Sequence, residues 1–399
     1  MSHLIVVSSF PDAGEIHSAA TVGVASYTKQ LVQAMLAVDS ALTVEVWADV
    51  VGGYGDYQEN EGRLRVRRLW RRTDTASLWR LARALRALGA AQQVLISFEI
   101  NEFGNAGQTL AFMAQLRALH RRGGPRVTLM MHQVLDDFVA LEGPGLVSWG
   151  KNFAKDFFYL VATGAAERLI VFEQQLKENL GGDDHIRVVP HFVASAPEID
   201  PEAARAALQW PAQKKILLYF GYIAPYKGIK EFAQLWPADV ADWQLVIAGG
   251  LNPNHVANKS AQAYHAATIQ AAAAKNIAVT GFVPEEQLPL YFAAAEAVVL
   301  PYRVFLSSSG PMALAFSYRR PVLLSPALAA YAQTSDFAHN LSAVGLQPGD
   351  LIYGETPTHI ASTLSLLDQK QAQLIQLAQL MAQTRSIERI AAETLQTLA

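Results

Sequence analysis

The feature that most constrains this chain is an alternation between two periods. Short, almost continuously apolar runs are LIVV (4–7), TVEVW (43–47), QVLISF (93–98), RVTLMMH (126–132), RLIVF (168–172) and IRVVPH (186–191). Between them lie stretches of helical period, among them VASYTKQLVQAML, TLAFMAQLRALH and FAKDFFYLVATGAAE. Strands with no polar side must be covered on both faces, which calls for a parallel sheet flanked by helices. The pattern pauses in a Pro- and Ala-rich stretch. It restarts with KILLYF (215–220), WQLVIAG (243–249), IAVTGF (277–282), AVVLPY (297–302) and PVLLS (321–325). A chain of 399 residues exceeds what one core usually covers. The expected architecture is α/β, with two Rossmann-like, doubly wound parallel-sheet domains facing each other across a cleft. They are placed at 1–192 and 214–375, with a linker at 193–213 and a C-terminal helix at 376–399 that is expected to pack back on the N-terminal domain.

Composition removes several classes of function. A net charge of −3 gives no bulk attraction to nucleic acid, so none is expected as a partner. There are no cysteines, hence no disulfides and no thiolate metal site. The start, MSHLIVVSSF, lacks the basic head and small-residue cleavage site of a signal peptide and reads as a buried first strand. No apolar run reaches the roughly 18–20 residues that span a bilayer. The expected location is the cytoplasm, with peripheral contact at the inner face of the membrane as a further option.

In doubly wound sheets ligands bind at the carboxyl ends of the strands, so chemistry is expected in the loops there. In LLYFGYIAPYKGIKEF (217–232), Gly221 follows a strand, Gly228 precedes a helix and Lys227 stands between them. Glycine lets a backbone approach a ligand, and a lysine beside a helix start suits a phosphate. An ordinary strand–turn–helix with a solvated lysine has the same spacing. In LPYRVFLSSSGPMALAFSYRRPVLLS (300–325), Ser308, Ser309 and Gly310 open a helix with Pro311 in its first turn. That is a second anion site or a plain N-cap.

Taken together, these loops resemble those of the family-4-type glycosyltransferases of the GT-B fold. There a strand ends in Phe-Gly and a Lys-Gly pair follows at the spacing of FGYIAPYKG. IAGG with Gly250, the turn of VTGFVPEEQLPLYF with Phe282 and Val283, and SSSGPMALAFSYRRPV resemble the succeeding pieces in order. In the N-terminal half, Gly23 of VGVASYTKQLVQAML resembles the glycine of a helix that faces the donor. ISFEINEFGNAG, with Glu99, resembles a Glu-x-x-x-Phe-Gly loop, LMMHQVLDD places His132 at a strand end, and VVPHFV resembles a Pro-His-Gly-Val linker.

The resemblance covers about residues 1–325. It implies a metal-independent, retaining transferase that moves a sugar from a nucleotide-diphosphate-sugar, a co-substrate rather than a cofactor. The hydroxyl acceptor would be a glycan, a lipid-linked molecule or a small molecule. Lys227 would stabilise the leaving diphosphate. His132 would hydrogen-bond substrate hydroxyls, and Glu99 would orient an acceptor hydroxyl or act as its base. Each is otherwise a satisfied polar group at a strand end.

The chain departs from the family pattern in three places. Tyr222 stands where many members carry an arginine, Leu306 and Leu314 fall near the positions of a glutamate pair, and Phe192 replaces a glycine. Two rival readings follow: a catalytically silent member serving as a binding subunit or scaffold, and a GT-B phosphorylase or epimerase. No metal is expected, and Asp136-Asp137 reads as a solvated turn.

The stretch RLRVRRLWRRTDTASLWRLARALRAL (63–88) holds nine arginines. On a helix over 76–88, Leu78, Leu81, Leu85 and Leu88 share one face and Arg80, Arg83 and Arg86 the opposite side, at about 100° per residue. The arginines either meet water or contact an anionic membrane.

Overall fold

The protein is represented by a computed structural model that describes residues 3–16, 23–72, 74–99, 102–139, 143–252 and 258–399. The chain divides into two compact units. Unit 1 comprises Met1–His191, Leu306–Ser308 and Ile387–Ala399, and unit 2 comprises Phe192–Phe305 and Ser309–Ser386.

Unit 1 is built on β1 (His3–Ser8), β2 (Thr43–Asp49), β3 (Tyr57–Glu59), β4 (Leu64–Trp70), β5 (Gln93–Phe98), β6 (Arg126–Met131), β7 (Arg168–Val171) and β8 (Ile186–Val188). They form one sheet in the order β3-β4-β2-β1-β5-β6-β7-β8. Among the described residues only the pair β3–β4 is antiparallel. From β1 the chain winds outward to β2 and β4, then returns to β5 and winds the other way. This reversal leaves a switch point between β1 and β5, where their carboxyl ends diverge. Right-handed crossovers put α1 (Gly23–Val38) on one face, and α2 (Thr75–Arg86), α3 (Ala106–His120) and α4 (Leu146–Thr163) on the other. The short α5 (Gln174–Asn179) follows β7.

The basic stretch corrects the reading by charge. RLRVRRLW is mostly strand, with Leu64, Val66 and Trp70 buried and the Trp70 indole donating to the Trp47 carbonyl at 2.9 Å. Its arginines masked a period of two. α2 begins at Thr75, capped by the Asp74 side chain, and buries Leu78, Leu81 and Leu85. It ends at Arg86, so Leu88 lies beyond the helix and not on its leucine face.

Unit 2 begins with α6 (Pro201–Ala207), whose N-terminus Asp200 caps with Pro201 in the first turn. Its sheet holds β9 (Lys215–Phe220), β10 (Trp243–Ala248), β11 (Ala278–Val279), β12 (Ala297–Leu300) and β13 (Val322–Leu324), all parallel, in the order β11-β10-β9-β12-β13. The reversal here falls between β9 and β12. The sheet is covered by α7 (Ile229–Leu235), α8 (Lys259–Ala273), α9 (Leu288–Ala294), α10 (Gly310–Ser317), α11 (Ser335–Ala343), α12 (Pro357–Gln369) and α13 (Gln371–Thr384). Leu217, Val246 and Val298 are fully buried beneath them. The last helix, α14 (Ile387–Leu398), belongs to unit 1, where it packs on α1.

Candidate functional site

Each switch point carries a cluster of polar groups. In unit 2 the cluster starts where β9 ends. Gly221 takes φ +120, and its amide donates to the Ala248 carbonyl at 3.0 Å. A Cβ on Gly221 would lie 2.6 Å from Lys227 Nζ and 3.9 Å from Pro311 Cγ. The missing side chain therefore makes room for the ammonium beside the start of α10. Lys227 closes the 3-10 turn Pro225–Lys227 and is buried. Its Nζ lies 5.6 Å from the Tyr302 ring centre and 6.0 Å from that of Tyr226. Among the described residues no carboxylate pairs with it. A buried, unpaired ammonium is costly, and an anion at this strand end would offset that cost.

Gly228 takes φ +64, and a Cβ there would strike the Pro301 carbonyl oxygen at 2.1 Å. Close approach, rather than an anion cradle, is what requires glycine at this position. Ser309 caps α10, accepting from the Met312 amide at 3.3 Å, and its hydroxyl lies 3.2 Å from the Tyr302 hydroxyl. Gly310 opens the helix.

Ser308 is not part of this cap. It groups with unit 1, where its hydroxyl donates to Glu173 at 3.4 Å. Gly250 accepts from the Ile223 amide at 2.9 Å, and a Cβ on it would come within 3.2 Å of the Phe282 nitrogen. The loops of Tyr222, Gly250 and Phe282 are thus neighbours, with Phe282 and Tyr222 exposed and Val283 buried. Leu314 packs against the core on α10, and the Leu306 carbonyl accepts from the Val134 amide, so neither position supplies a carboxylate.

In unit 1, His132 sits at the end of β6 with its Nε2 2.7 Å from the Ser97 hydroxyl. Ser97 in turn lies 2.8 Å from the Thr28 hydroxyl, to which the Ser8 hydroxyl donates at 3.1 Å. This file of side chains links β1, α1, β5 and the end of β6. Tyr27 and Phe172 meet the His132 ring edge-on at 4.9 and 5.0 Å. Burial, reinforced by His191, pulls the imidazole pKa down to about 3, so His132 is neutral across the physiological range.

Glu99, half-buried, accepts from the Gln133 amide at 2.7 Å. Burial raises its pKa while Arg72 opposes. Gly23 opens α1, and a Cβ there meets nothing within 4 Å. Residues 17–22 before it lie outside the described residues. Asp137 binds the Val139 amide and the Asn152 side chain, both at 2.7 Å, so it holds a turn. Among the described residues no three His, Asp or Glu side chains group as metal ligands.

Sequence reasoning missed Glu102, Ser97 and Gly249. The Glu102 side chain is buried, with one oxygen accepting from the Ser9 amide at 2.7 Å and the other without a hydrogen-bond partner among the described residues. Arg72 binds the Ser9 hydroxyl at 2.6 Å and Asp49 at 2.8 Å beside it. Burial pushes Glu102 up to about 8, with Glu99 and Asp49 adding to the shift. Glu102 lies inside the EINEFG loop singled out by sequence, where Glu99 alone drew attention. A Cβ on Gly249 would sit 1.9 Å from the Gly221 carbonyl oxygen. The GG of IAGG was the available signal.

Two Rossmann-like units in one chain, each with a polar cluster at its switch point, define the GT-B architecture. The chain shares that fold with sucrose-phosphate synthase from Thermosynechococcus elongatus (TM-score 0.70, 16% identity, covering 99% of this chain and 98% of that one). It shares it also with a structure described as trehalose-6-phosphate from E. coli bound with UDP-2-fluoro glucose (TM-score 0.67, 12% identity, covering 100% and 99%). A third is Anabaena HepE in complex with UDP (TM-score 0.60, 13% identity, covering 100% and 99%). No curated protein matches the sequence. The family model of Glycosyl transferases group 1 matches residues 200–327, the segment that holds all five strands of unit 2. Over that segment the chain carries a domain of the group 1 glycosyl transferase type.

Proposed function

We propose that the protein transfers a sugar from a nucleotide-diphosphate-sugar to a hydroxyl acceptor, with the donor held by unit 2. The observation that carries this reading is the buried Lys227 ammonium at the β9–β12 switch point, with no carboxylate partner among the described residues and Gly221 left bare to admit it. Cleaving a sugar–phosphate bond builds negative charge on the leaving diphosphate, and a fixed cation in a poorly hydrated site stabilises that charge. The group 1 match over this unit supports the assignment, as do the fold neighbours described with UDP and UDP-glucose.

The exposed rings of Tyr222 and Phe282 offer faces for a nucleobase. The neutral His132 would exchange hydrogen bonds with substrate hydroxyls rather than act as a cationic acid, and Glu99 would take the acceptor's proton or orient its hydroxyl. The reaction is read as metal-independent and retaining. The acceptor is a glycan, a lipid-linked molecule or a small molecule, and the site of action is the cytoplasm.

Thermal shifts with UDP, GDP, ADP, CDP and their sugars test the reading on wild type and Lys227→Ala. A nucleotide at ten to a hundred times its Kd should stabilise the protein by roughly 1.4–2.7 kcal/mol. One hit, lost in the variant, is expected. Silence across the panel would overturn the donor site and favour the silent-scaffold alternative.

A further inference from the structure

The outer face of α4 is the least explained surface of unit 1. Leu146, Trp149, Phe153, Phe157 and Leu160 are all exposed, from 94% for Leu146 to 50% for Phe157. At about 100° per residue these five fall within an arc of roughly 80°. The inner side of the same helix is fastened down. Ser148, Tyr159 and Ala162 are buried, the Tyr159 hydroxyl accepts from the Leu135 amide at 2.6 Å, and Asn152 holds the 137–138 turn. The apolar face is therefore presented to the outside by a helix that cannot roll it inward. An apolar stripe of this size on a soluble surface marks a contact site.

Charge around the stripe identifies the contact. α3 packs between α2 and α4 in one layer. α2 and α3 contain no acidic residue, and α4 contains only Asp156. The layer carries Arg80, Arg83 and Arg86 on α2, with Arg121 and Arg122 following α3, and all five are exposed. No helix among the described residues is long and apolar enough to cross a membrane.

A helix with one aromatic and aliphatic face, set in a basic layer and too short in apolar length to span, suits the plane of an anionic membrane. We infer that α4 inserts its Trp149–Phe153–Phe157 face into the surface of an anionic lipid bilayer, with the arginines of the α2–α3 layer resting on the headgroups. The arginines alone were legible in sequence, and the inserting element was not. The inference does not rest on the donor chemistry.

Flotation of the full chain with phosphatidylcholine vesicles, with and without phosphatidylglycerol, tests it. Wild type is expected to float with the anionic vesicles and to partition roughly tenfold or more weaker onto neutral ones or in high salt. Phe153→Ser/Phe157→Ser should lose flotation while staying within a few degrees of the wild-type melting temperature and keeping the nucleotide shifts, since both side chains are exposed, Phe157 by half. Arg83→Glu/Arg86→Glu is a second variant that leaves α4 intact, and it should weaken partition by a similar factor. Failure of wild type to float with either vesicle would overturn the inference, as would equal flotation of wild type and both variants. A wild-type dimer that Phe153→Ser/Phe157→Ser converts to monomer in sedimentation would also overturn it, by assigning the face to a second copy.

Discussion

Gly221 and Lys227 form one device: a Cβ on the glycine would stand 2.6 Å from the lysine Nζ, in a backbone conformation of φ +120. Six residues apart in sequence, they are brought together by the turn after β9. Gly221→Ala should therefore act twice. The strained backbone should cost about 1–3 kcal/mol, and the displaced ammonium should weaken nucleotide binding. Calorimetric melting and nucleotide titration check both, and a variant with wild-type stability and affinity would remove the device. Gly249→Ala should be harsher, because its Cβ would meet the Gly221 carbonyl at 1.9 Å and backbone cannot yield as a side chain does.

Lys227→Met separates stability from function. Methionine retains the apolar stem and removes an ammonium with no carboxylate partner among the described residues. The variant without ligand should be at least as stable as wild type, because a buried charge with no carboxylate partner is a burden until an anion binds. Binding of a nucleoside diphosphate should fall by roughly tenfold or more, the loss of one charge-assisted contact. Loss of stability together with retained binding would show that Lys227 is structural.

His132 sets an acid limit. Its folded pKa of about 3 lies below its usual 6.5, so the unfolded chain binds the proton that the folded one refuses. Stability from this group is complete above about pH 6.5 and is lost as pH falls toward 3, at up to about 1.4 kcal/mol per pH unit. His132→Gln should flatten that slope in urea melts measured from pH 7 to pH 4. Ser97→Ala should leave most of the slope, since burial dominates the shift, but should cost about 1 kcal/mol through the lost 2.7 Å hydrogen bond.

Most parallel strands of both sheets were legible because buried parallel strands leave little but apolar residues, as in QVLISF and KILLYF, whose bounds match β5 and β9, whereas the short antiparallel β3 was not read and only Ala278–Val279 of IAVTGF is strand. β4, second from the edge of the sheet, was not, because its arginines alternate with Leu64, Val66 and Trp70 and charge hid the period. The Gly221 and Lys227 loop could be read from spacing, but the contact that joins them depends on a turn geometry that spacing leaves open. Ser308 and Ser309 are adjacent in sequence and part company in the fold, one facing Glu173 and the other capping α10. Glu102 was passed over because a carboxyl beside Phe103 in a loop reads as solvated, whereas burial makes it the more perturbed of the two glutamates.

Glu102 sets a limit at the other end of the pH scale. Its folded pKa of about 8 lies above the usual 4.5, so the folded chain holds a proton that the unfolded chain has released. The stability this provides is complete below about pH 4.5 and is lost as pH rises toward 8, at up to about 1.4 kcal/mol per pH unit. Glu102→Gln keeps the volume and an acceptor for the Ser9 amide while removing the titration. The variant should gain stability over wild type as pH is raised from 5 to 8, with the difference smallest at the acid end. Urea unfolding at each pH measures that difference. A constant offset would mean that the carboxyl is charged and paired in the folded chain, with Arg72, whose charge already opposes the shift, the candidate partner. A gain that grows with pH would establish that the protein carries a neutral carboxylic acid beside Ser9 at physiological pH, able to donate from the oxygen that has no partner among the described residues.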